Sequence, residues 1–411
     1  MTAPDRPRLP AAFIRLAWSN LAAQSAEQIG LAAAPIVAVL ALGAAEGETG
    51  LLQTAQTLPF LLFSFPFGVL ADRASRRRLM AGAEAVRAVS LLLILFLLSS
   101  HHLSLALLAL LGFLGASGTV AYGVTAPSLV PSLVERDGLA AANARLEVAR
   151  TSAFIAGPAI AGALISWTGA SMAFALAAAL SCAAVLLFAG IKEPPRPALP
   201  PRHILHDLVE GGGFVINHRL LRPILLSSVV FNVSFFIIQA VYVPYAVHSL
   251  GLSASAIGLT LAANGVGLVA GALLAPYLVR FIPFGPLSTI GPISGFAAAA
   301  LMLLTIWVPQ GWLAGFSYFV MGIGPMMWII GTATLRQIVT PLPLLGRVSA
   351  VSIMATQGAR PLGAAIGAVL GGAFGAEPCL IAAAFGFLAQ ALLVLFSPIP
   401  RLARQPERTE E

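Results

Sequence analysis

Long apolar runs alternate with short polar ones along the whole chain. The runs fall at 15–43, 50–71, 79–99, 103–130, 139–168, 171–190, 221–247, 255–279, 287–307, 311–335, 347–373 and 378–397. About 20 mainly apolar residues in a helix cross a hydrocarbon core of about 30 Å. An open sheet is not available in lipid, because its edge groups would have no partners. Barrel strands are about 10 residues long and alternate in polarity, which these runs do not. The pattern therefore predicts an all-α integral membrane protein with twelve transmembrane helices.

Composition agrees. Of 411 residues, 58% are hydrophobic and 9% charged, and the mean hydropathy is +0.92. Soluble domains carry about 25% charged residues, so water could not solvate a fold made from this chain. The first run is too long for the core of a signal peptide and reads as an uncleaved helix. Cys182 and Cys379 each lie inside an apolar run and are expected to be free, buried thiols.

Basic residues orient a membrane chain toward the cytoplasm. With the N-terminus inside, all 23 Lys and Arg residues fall in cytoplasmic loops or in the cytoplasmic halves of helices. The opposite loops hold Glu46, Glu48 and Glu377 and no basic residue. Both termini are thus expected in the cytoplasm. The net charge of +7 is a topology signal and does not imply nucleic acid. One lysine among 22 arginines, with abundant alanine, suggests a bacterium with GC-rich DNA and hence its cytoplasmic membrane.

The longest connection, 191–220, begins with a proline-rich stretch from Lys192 to Arg202. It continues as an amphipathic segment in which Ile204, Leu205, Leu208 and Val209 oppose His206, Asp207 and Glu210. A stiff linker and a short helix on the inner membrane surface are expected. The predicted units are a six-helix bundle at 1–190, this linker, a second six-helix bundle at 221–400 and a tail at 401–411. The halves are related. Ala149-Arg150 precedes Gly157 and Gly162, and at a constant shift of 210 Ala359-Arg360 precedes Gly367 and Gly372. Arg73 and Arg280 follow the second and eighth runs, and Pro35 and Pro244 interrupt the first and seventh at comparable depth. A parallel repeat of this kind places a pseudo-two-fold axis along the membrane normal, with substrate bound between the bundles.

Between the second and third runs stands Gly68-Val-Leu-Ala-Asp72-Arg73-Ala-Ser75-Arg76-Arg77-Arg78. A small residue such as Gly68 allows close helix approach. Asp72 lies at the unfavourable end of a helix dipole and calls for a cationic partner or another helix N-terminus. The loop resembles the signature of the major facilitator superfamily, with Ser75 where the family usually has glycine. The resemblance implies that fold, and a cytoplasmic gate in which Asp72 bridges the bundles; the N-terminal end of the eleventh run, near Arg347, is the expected partner, with Arg73 and Arg77 in the same loop. Arg150 and Arg360, at matching positions in the inner third of the membrane, either snorkel to the inner surface, line the gate or meet an anionic substrate. Pro131-Ser-Leu-Val-Glu-Arg-Asp-Gly-Leu139-Ala-Ala-Ala-Asn143 and Glu210-Gly-Gly-Gly-Phe214 resemble the efflux branch containing macrolide and enterobactin-type siderophore exporters. Gly157-Pro158 and Gly162 partly resemble an antiporter motif, with Ala153 and Ala161 in place of two glycines; a bend and close packing are their expected role.

Glu27 is the sharpest single candidate. It lies twelve residues past Arg15, about 18 Å along a helix and so near mid-membrane. A lone charge there costs roughly 2.5–3.5 kcal/mol on insertion scales. Asn20, Gln24 and Glu27 share a face, with Gln28 at its edge. Because desolvation disfavours a charged carboxyl, Glu27 is the expected proton carrier; a fixed hydrogen-bonding role is the alternative. Asn232, Phe235 and Gln239, with Asn264, are candidate cavity residues or interhelical ties. Glu84 and Arg87 read as a structural ion pair near the inner surface. His101-His102 and the pair His203 and His206 lack further ligands, so no metal site is assigned. No nucleotide loop or nucleophile motif is present, and no cofactor or enzymatic activity is expected.

The expectation is a monomeric secondary transporter that exports an amphipathic or hydrophobic small molecule in exchange for protons. Import or facilitated diffusion on the same fold is the first alternative. A non-transporting receptor or scaffold is the second.

Overall fold

The computed structural model describes residues 10–73, 75–191 and 204–402. The chain forms α1 (Ala11–Leu40), α2 (Glu46–Arg73), α3 (Arg76–Ser99), α4 (Leu105–Leu133), α5 (Leu139–Thr168) and α6 (Ala170–Ala189). It continues with α7 (Ile204–Asn217), α8 (Leu221–His248), α9 (Ala254–Leu278), α10 (Phe284–Leu304), α11 (Gly311–Val339), α12 (Leu342–Phe374) and α13 (Ala376–Leu395). The twelve apolar runs correspond to these helices without α7. Ten are long and apolar enough to cross a membrane, by length and composition; α2 and α12 are not among them. Those two carry Gln53, Thr54, Gln56 and Thr57, and Arg347, Gln357 and Arg360, and they pack on each other. Their polar residues face protein more than lipid, which lowers their hydropathy.

Local chemistry sets the helix ends. Ser75, Ser104 and Ser253 cap α3, α4 and α9, each accepting a hydrogen bond from a first-turn backbone N–H. Gly169 and Gly375 are the single residues joining α5 to α6 and α12 to α13, with φ of +92° and +83°. Only glycine adopts such angles freely, so each sharp reversal is written into one residue.

The packing repeats. Within α1–α6, α1 lies on α5 and α6, α3 on α4 and α6, and α2 on α4. Within α8–α13, α8 lies on α12 and α13, α10 on α11 and α13, and α9 on α11. The second set is the first with every helix advanced by seven. The two most extensive crossings between the sets are α2 with α12 and α5 with α9, and the same operation exchanges them; α2 also lies on α8.

Both crossings are tightest at the end away from the arginine clusters. A Cβ on Gly47 would lie 2.7 Å from the Gly372 Cα, and one on Gly50 2.7 Å from the Ala368 Cβ. In the partner crossing, a Cβ on Gly162 would lie 3.0 Å from the Gly258 Cα. Gly47 and Gly258 are related by a shift of 211, Gly162 and Gly372 by 210. Without a hydrophobic force between helices in lipid, such backbone approach supplies the association. Going toward the arginine-rich end, Gly358 still meets Leu61. Beyond it Leu62, Leu70, Ile353 and Met354 are exposed, and the bundles stand apart there.

The expected surface helix exists as α7, but it does not lie free. Arg347 at the start of α12 binds Asp207 through Nε at 2.8 Å and Glu210 through Nη1. Gly211 sits against the Arg347 backbone. Val215 is buried, while Val209 is 74% exposed. The connection then turns at His218, whose Nδ1 accepts from the backbone N–H groups of Leu220 and Leu221 at 3.2 and 3.3 Å; burial pushes its imidazole below the ordinary value, which suits an acceptor nitrogen. The proline-rich stretch from Lys192 to Arg202, His203, and the tail beyond Leu402 lie outside the described residues. Cys182 is half-buried and Cys379 buried, both free.

The two Arg347 pairs are partly exposed, so together they are worth about 1 kcal/mol. Arg347→Ala should raise amide exchange over 204–217 roughly fivefold and leave exchange in α1–α6 unchanged, as read by hydrogen–deuterium exchange.

Candidate functional site

The N-terminal bundle buries a charged network. Arg87 on α3 pairs with Glu84, one turn earlier, at 2.6 Å and with Glu27 on α1 at 3.6 Å. Its guanidinium also donates to Thr119 Oγ1 on α4 at 2.6 Å and to the Ala23 carbonyl on α1 at 3.3 Å. Glu84 accepts from Ser181 on α6 at 2.5 Å. Three helices thus meet at one guanidinium, and through Glu84 a fourth, α6, joins the network. The side chains of Arg87 and Glu84 are 5% and 2% exposed, that of Glu27 12%. Glu84 and Arg87 are therefore an interior cluster and not a pair near the inner surface. Arg87 lies eleven residues past Arg76, about 16 Å along its helix and level with Glu27. The depth count that singled out Glu27 applies equally to Arg87, and it is the signal that could have joined them.

Charge balance gives the cluster its chemistry. Two carboxyls share one cation, so full ionisation leaves one negative charge in an apolar interior. One proton makes the cluster neutral. Glu27 has the looser contact with Arg87 and the more exposed side chain of the two carboxyls.

The expected polar stripe on α1 divides. Asn20 turns into the bundle, where its Oδ1 accepts from the Tyr122 hydroxyl and its Nδ2 donates to the Leu146 carbonyl at 3.3 Å. Its buried place between α1, α4 and α5 corrects the expectation that it lines the cavity. A shared helical face does not say which neighbour it meets. Gln24 and Gln28 are half-buried. The Gln28 backbone lies under Gly157, where a Cβ would be 3.1 Å from its carbonyl carbon. Pro158 and Gly162 on the same helix form the α5–α9 crossing.

The C-terminal bundle answers with neutral groups. Tyr318 on α11 donates to Gln239 Oε1 on α8 at 2.6 Å, and its carbonyl accepts from Asn264 on α9 at 3.1 Å. Tyr242 meets the Thr260 hydroxyl and stacks edge-on to Tyr318 with centroids 4.7 Å apart. Gln239 and Asn264 are thus interhelical ties, centred on a tyrosine that sequence reasoning did not single out. Phe235 packs between Phe231 and Phe236, at 5.9 and 5.6 Å. Asn232 donates to Ser228 in its own helix and accepts weakly from Arg360 Nε at 3.4 Å.

The expected gate residues do not form one cluster. Arg347 is held by Asp207 and Glu210 of α7. The Asp72 and Arg73 side chains lie outside the described residues. Gly68 faces open space among the described residues, because the bundles are apart at that end. Arg77 donates to the Ile191 carbonyl at 3.2 Å, tying the first turn of α3 to the residues after α6. Arg150 is exposed and holds Glu147 through two hydrogen bonds, at 3.0 and 2.5 Å. Arg360 sits between the bundles, its guanidinium 5.3 Å from the Phe60 ring of α2 and 5.4 Å from the Phe236 ring of α8. It forms no ion pair with Glu27, which lies on Arg87 instead.

Two six-helix repeats crossing through glycines, with polar groups at mid-depth, define a major facilitator-type membrane transporter. The family model described as transmembrane secretion effector matches residues 12–410, and the chain belongs to that family of the major facilitator superfamily. It is 29% identical over 332 residues to an uncharacterized MFS-type transporter, y4rN, of Sinorhizobium fredii, covering 78% of this chain and 79% of the relative. It is 28% identical over 346 residues to the enterobactin exporter EntS of Citrobacter koseri, covering 80% and 78%. In structure it is similar to the nucleoside transporter NupG, with a TM-score of 0.76 at 14% identity, over 94% of this chain and 98% of that one. The protein is therefore a multi-pass transporter of a bacterial inner membrane.

Removing Arg87 strands two buried carboxyls, and breaking a buried pair costs about 3–5 kcal/mol. Arg87→Met should lower the melting temperature of the purified protein far more than Glu27→Gln, which leaves Glu84 on Arg87. Equal losses for the two variants would show that Glu84 does not carry the pair.

Proposed function

We propose that the protein exports an amphipathic small molecule by alternating access, in exchange for protons carried by Glu27. The observation that carries this reading is the one-proton imbalance of the Glu27–Arg87–Glu84 cluster. A carboxyl that stays ionised beside its own cation has no reason to share it with a second acid. A carboxyl at the rim of such a cluster can load a proton when the site faces the acidic side and lose it on the other.

Alternating access is supported by the symmetric glycine crossings. They close the end that carries Glu46 and Glu377, while the arginine-rich ends stand apart. The distribution of basic residues assigns the open end to the cytoplasm, so this arrangement reads as the inward-open state with both termini inside. The reciprocal state would separate the glycine pairs and bring the arginine-rich ends together, where Asp72, Arg73 and Arg77 could serve as the cytoplasmic gate. Gln24, Gln28, Asn232 and Phe235 would then line the substrate path, with one chain sufficient for transport. Export of a siderophore-class molecule is supported by the similarity to the enterobactin exporter.

Reconstitution in liposomes with a trapped pH dye and an inward proton gradient tests the reading. Enterobactin and ethidium serve as probes, one from each end of the amphipathic range. Probe loaded inside the liposomes should leave as protons enter and so accelerate internal acidification in the wild type, and Glu27→Gln should abolish that acceleration at unchanged protein yield. Probe movement with the proton, in the same direction, would assign import. Probe flux that ignores the gradient and survives Glu27→Gln would remove Glu27 from the mechanism.

A further inference from the structure

We infer that Arg360, with Phe60, Phe236 and Asn232, is a recognition site for an anionic group carried on an aromatic or apolar body. The inference rests on the transport reading for its biological meaning, but its test is one of binding and stands apart from proton coupling.

The chain contains its own control. At the repeat shift of 210, Glu147-Val-Ala-Arg150 corresponds to Gln357-Gly-Ala-Arg360. In the first half the arginine is held by the carboxylate one turn before it, through Nε and Nη2. In the second half that carboxylate is an amide, and Gln357 makes no hydrogen bond to Arg360. Arg360 is thus an arginine whose built-in counter-ion has been replaced by an uncharged residue of the same shape.

Nothing else among the described residues supplies the missing charge. Arg360 forms no ion pair, and its one hydrogen bond is the long contact from Nε to Asn232. Both terminal nitrogens are left to whatever enters. Arg87, the other interior arginine, has two carboxylates, a hydroxyl and a carbonyl. A guanidinium is a planar fork suited to a carboxylate or a similar oxyanion. The Phe60 and Phe236 rings stabilise the cation through their faces while leaving its edge free, and they offer an apolar surface beside it. They come from opposite bundles, so a ligand bound here would touch both halves. Arg360 lies twelve residues from Gly372, about 18 Å from the closed crossing, where the gap between bundles opens.

Three probes of one shape decide the matter: 2-naphthoate, 2-naphthamide and 2-naphthylmethylamine, titrated calorimetrically into the purified full chain with detergent blanks. The anion should bind about tenfold or more tightly than the amide, the worth of one charge-assisted pair, and the amine least. Gln357→Glu, which restores the counter-ion of the first repeat without removing a side chain, should bring the anion and amide to equal affinity. Arg360→Gln should do the same. Equal binding of the anion and amide by the wild type, or binding of none of the three at millimolar concentration, overturns the inference. So does an anion preference that survives Gln357→Glu. The wild-type series decides even if a variant fails to fold.

Discussion

A cation in a hydrocarbon-bounded interior has to be surrounded, and the organisation of the N-terminal bundle follows from how Arg87 is surrounded. Its partners come from α1, α3 and α4, and through Glu84 the network reaches α6. Leu- and Ala-rich helices in lipid have little else to fix their rotation, because lipid is as apolar as the side chains they bury. The network supplies that register. It holds Glu27 against Arg87 with its side chain 12% exposed.

The second repeat has the same topology and the opposite electrostatics. Its ties run through Tyr318, Gln239, Asn264, Tyr242 and Thr260, all neutral, and its one mid-depth charge points out of the bundle toward α2. Duplication explains the shared packing, and divergence of a few polar positions explains the asymmetry. The consequence is a division of labour: one half holds a titratable acid, the other a bare cation. Both face the gap that the glycine crossings close from one side. Because those crossings are backbone on backbone, they can part without leaving a buried polar side chain unsatisfied.

Much of the fold was legible in the sequence, for a physical reason. A helix must be apolar for the whole thickness of the bilayer, so ten helices announce themselves by length and composition, α2 and α12 by their place between them, and the linker by proline and charge. The repeat was legible through Ala149-Arg150 and Ala359-Arg360. Glu27 stood out because charge is costly at its depth. What the sequence did not disclose is pairing. Arg87 was assigned to the surface because its neighbour Glu84 satisfied it locally. Asn20 was assigned to the cavity because a helical face does not name its neighbour. The end of the eleventh run near Arg347 was assigned to Asp72 from family pattern, and α7 brings two carboxylates to Arg347. The neutral network was missed because Tyr318 and Tyr242 read as ordinary apolar-run residues.

The separation of Glu27 from Arg360 carries the last step. Had they paired, acid and cation would neutralise each other across the interface, and the bundles would be locked by a desolvated salt bridge whose breaking costs several kcal/mol. Glu27 is instead drawn back onto Arg87, inside its own bundle, and Arg360 is spread over two aromatic rings. Each charge is stabilised just enough to remain in the membrane interior, and neither is spent on holding the halves together. A transporter needs that condition: the polar groups between its bundles must stay available to cargo, and the closure must be left to groups without charge.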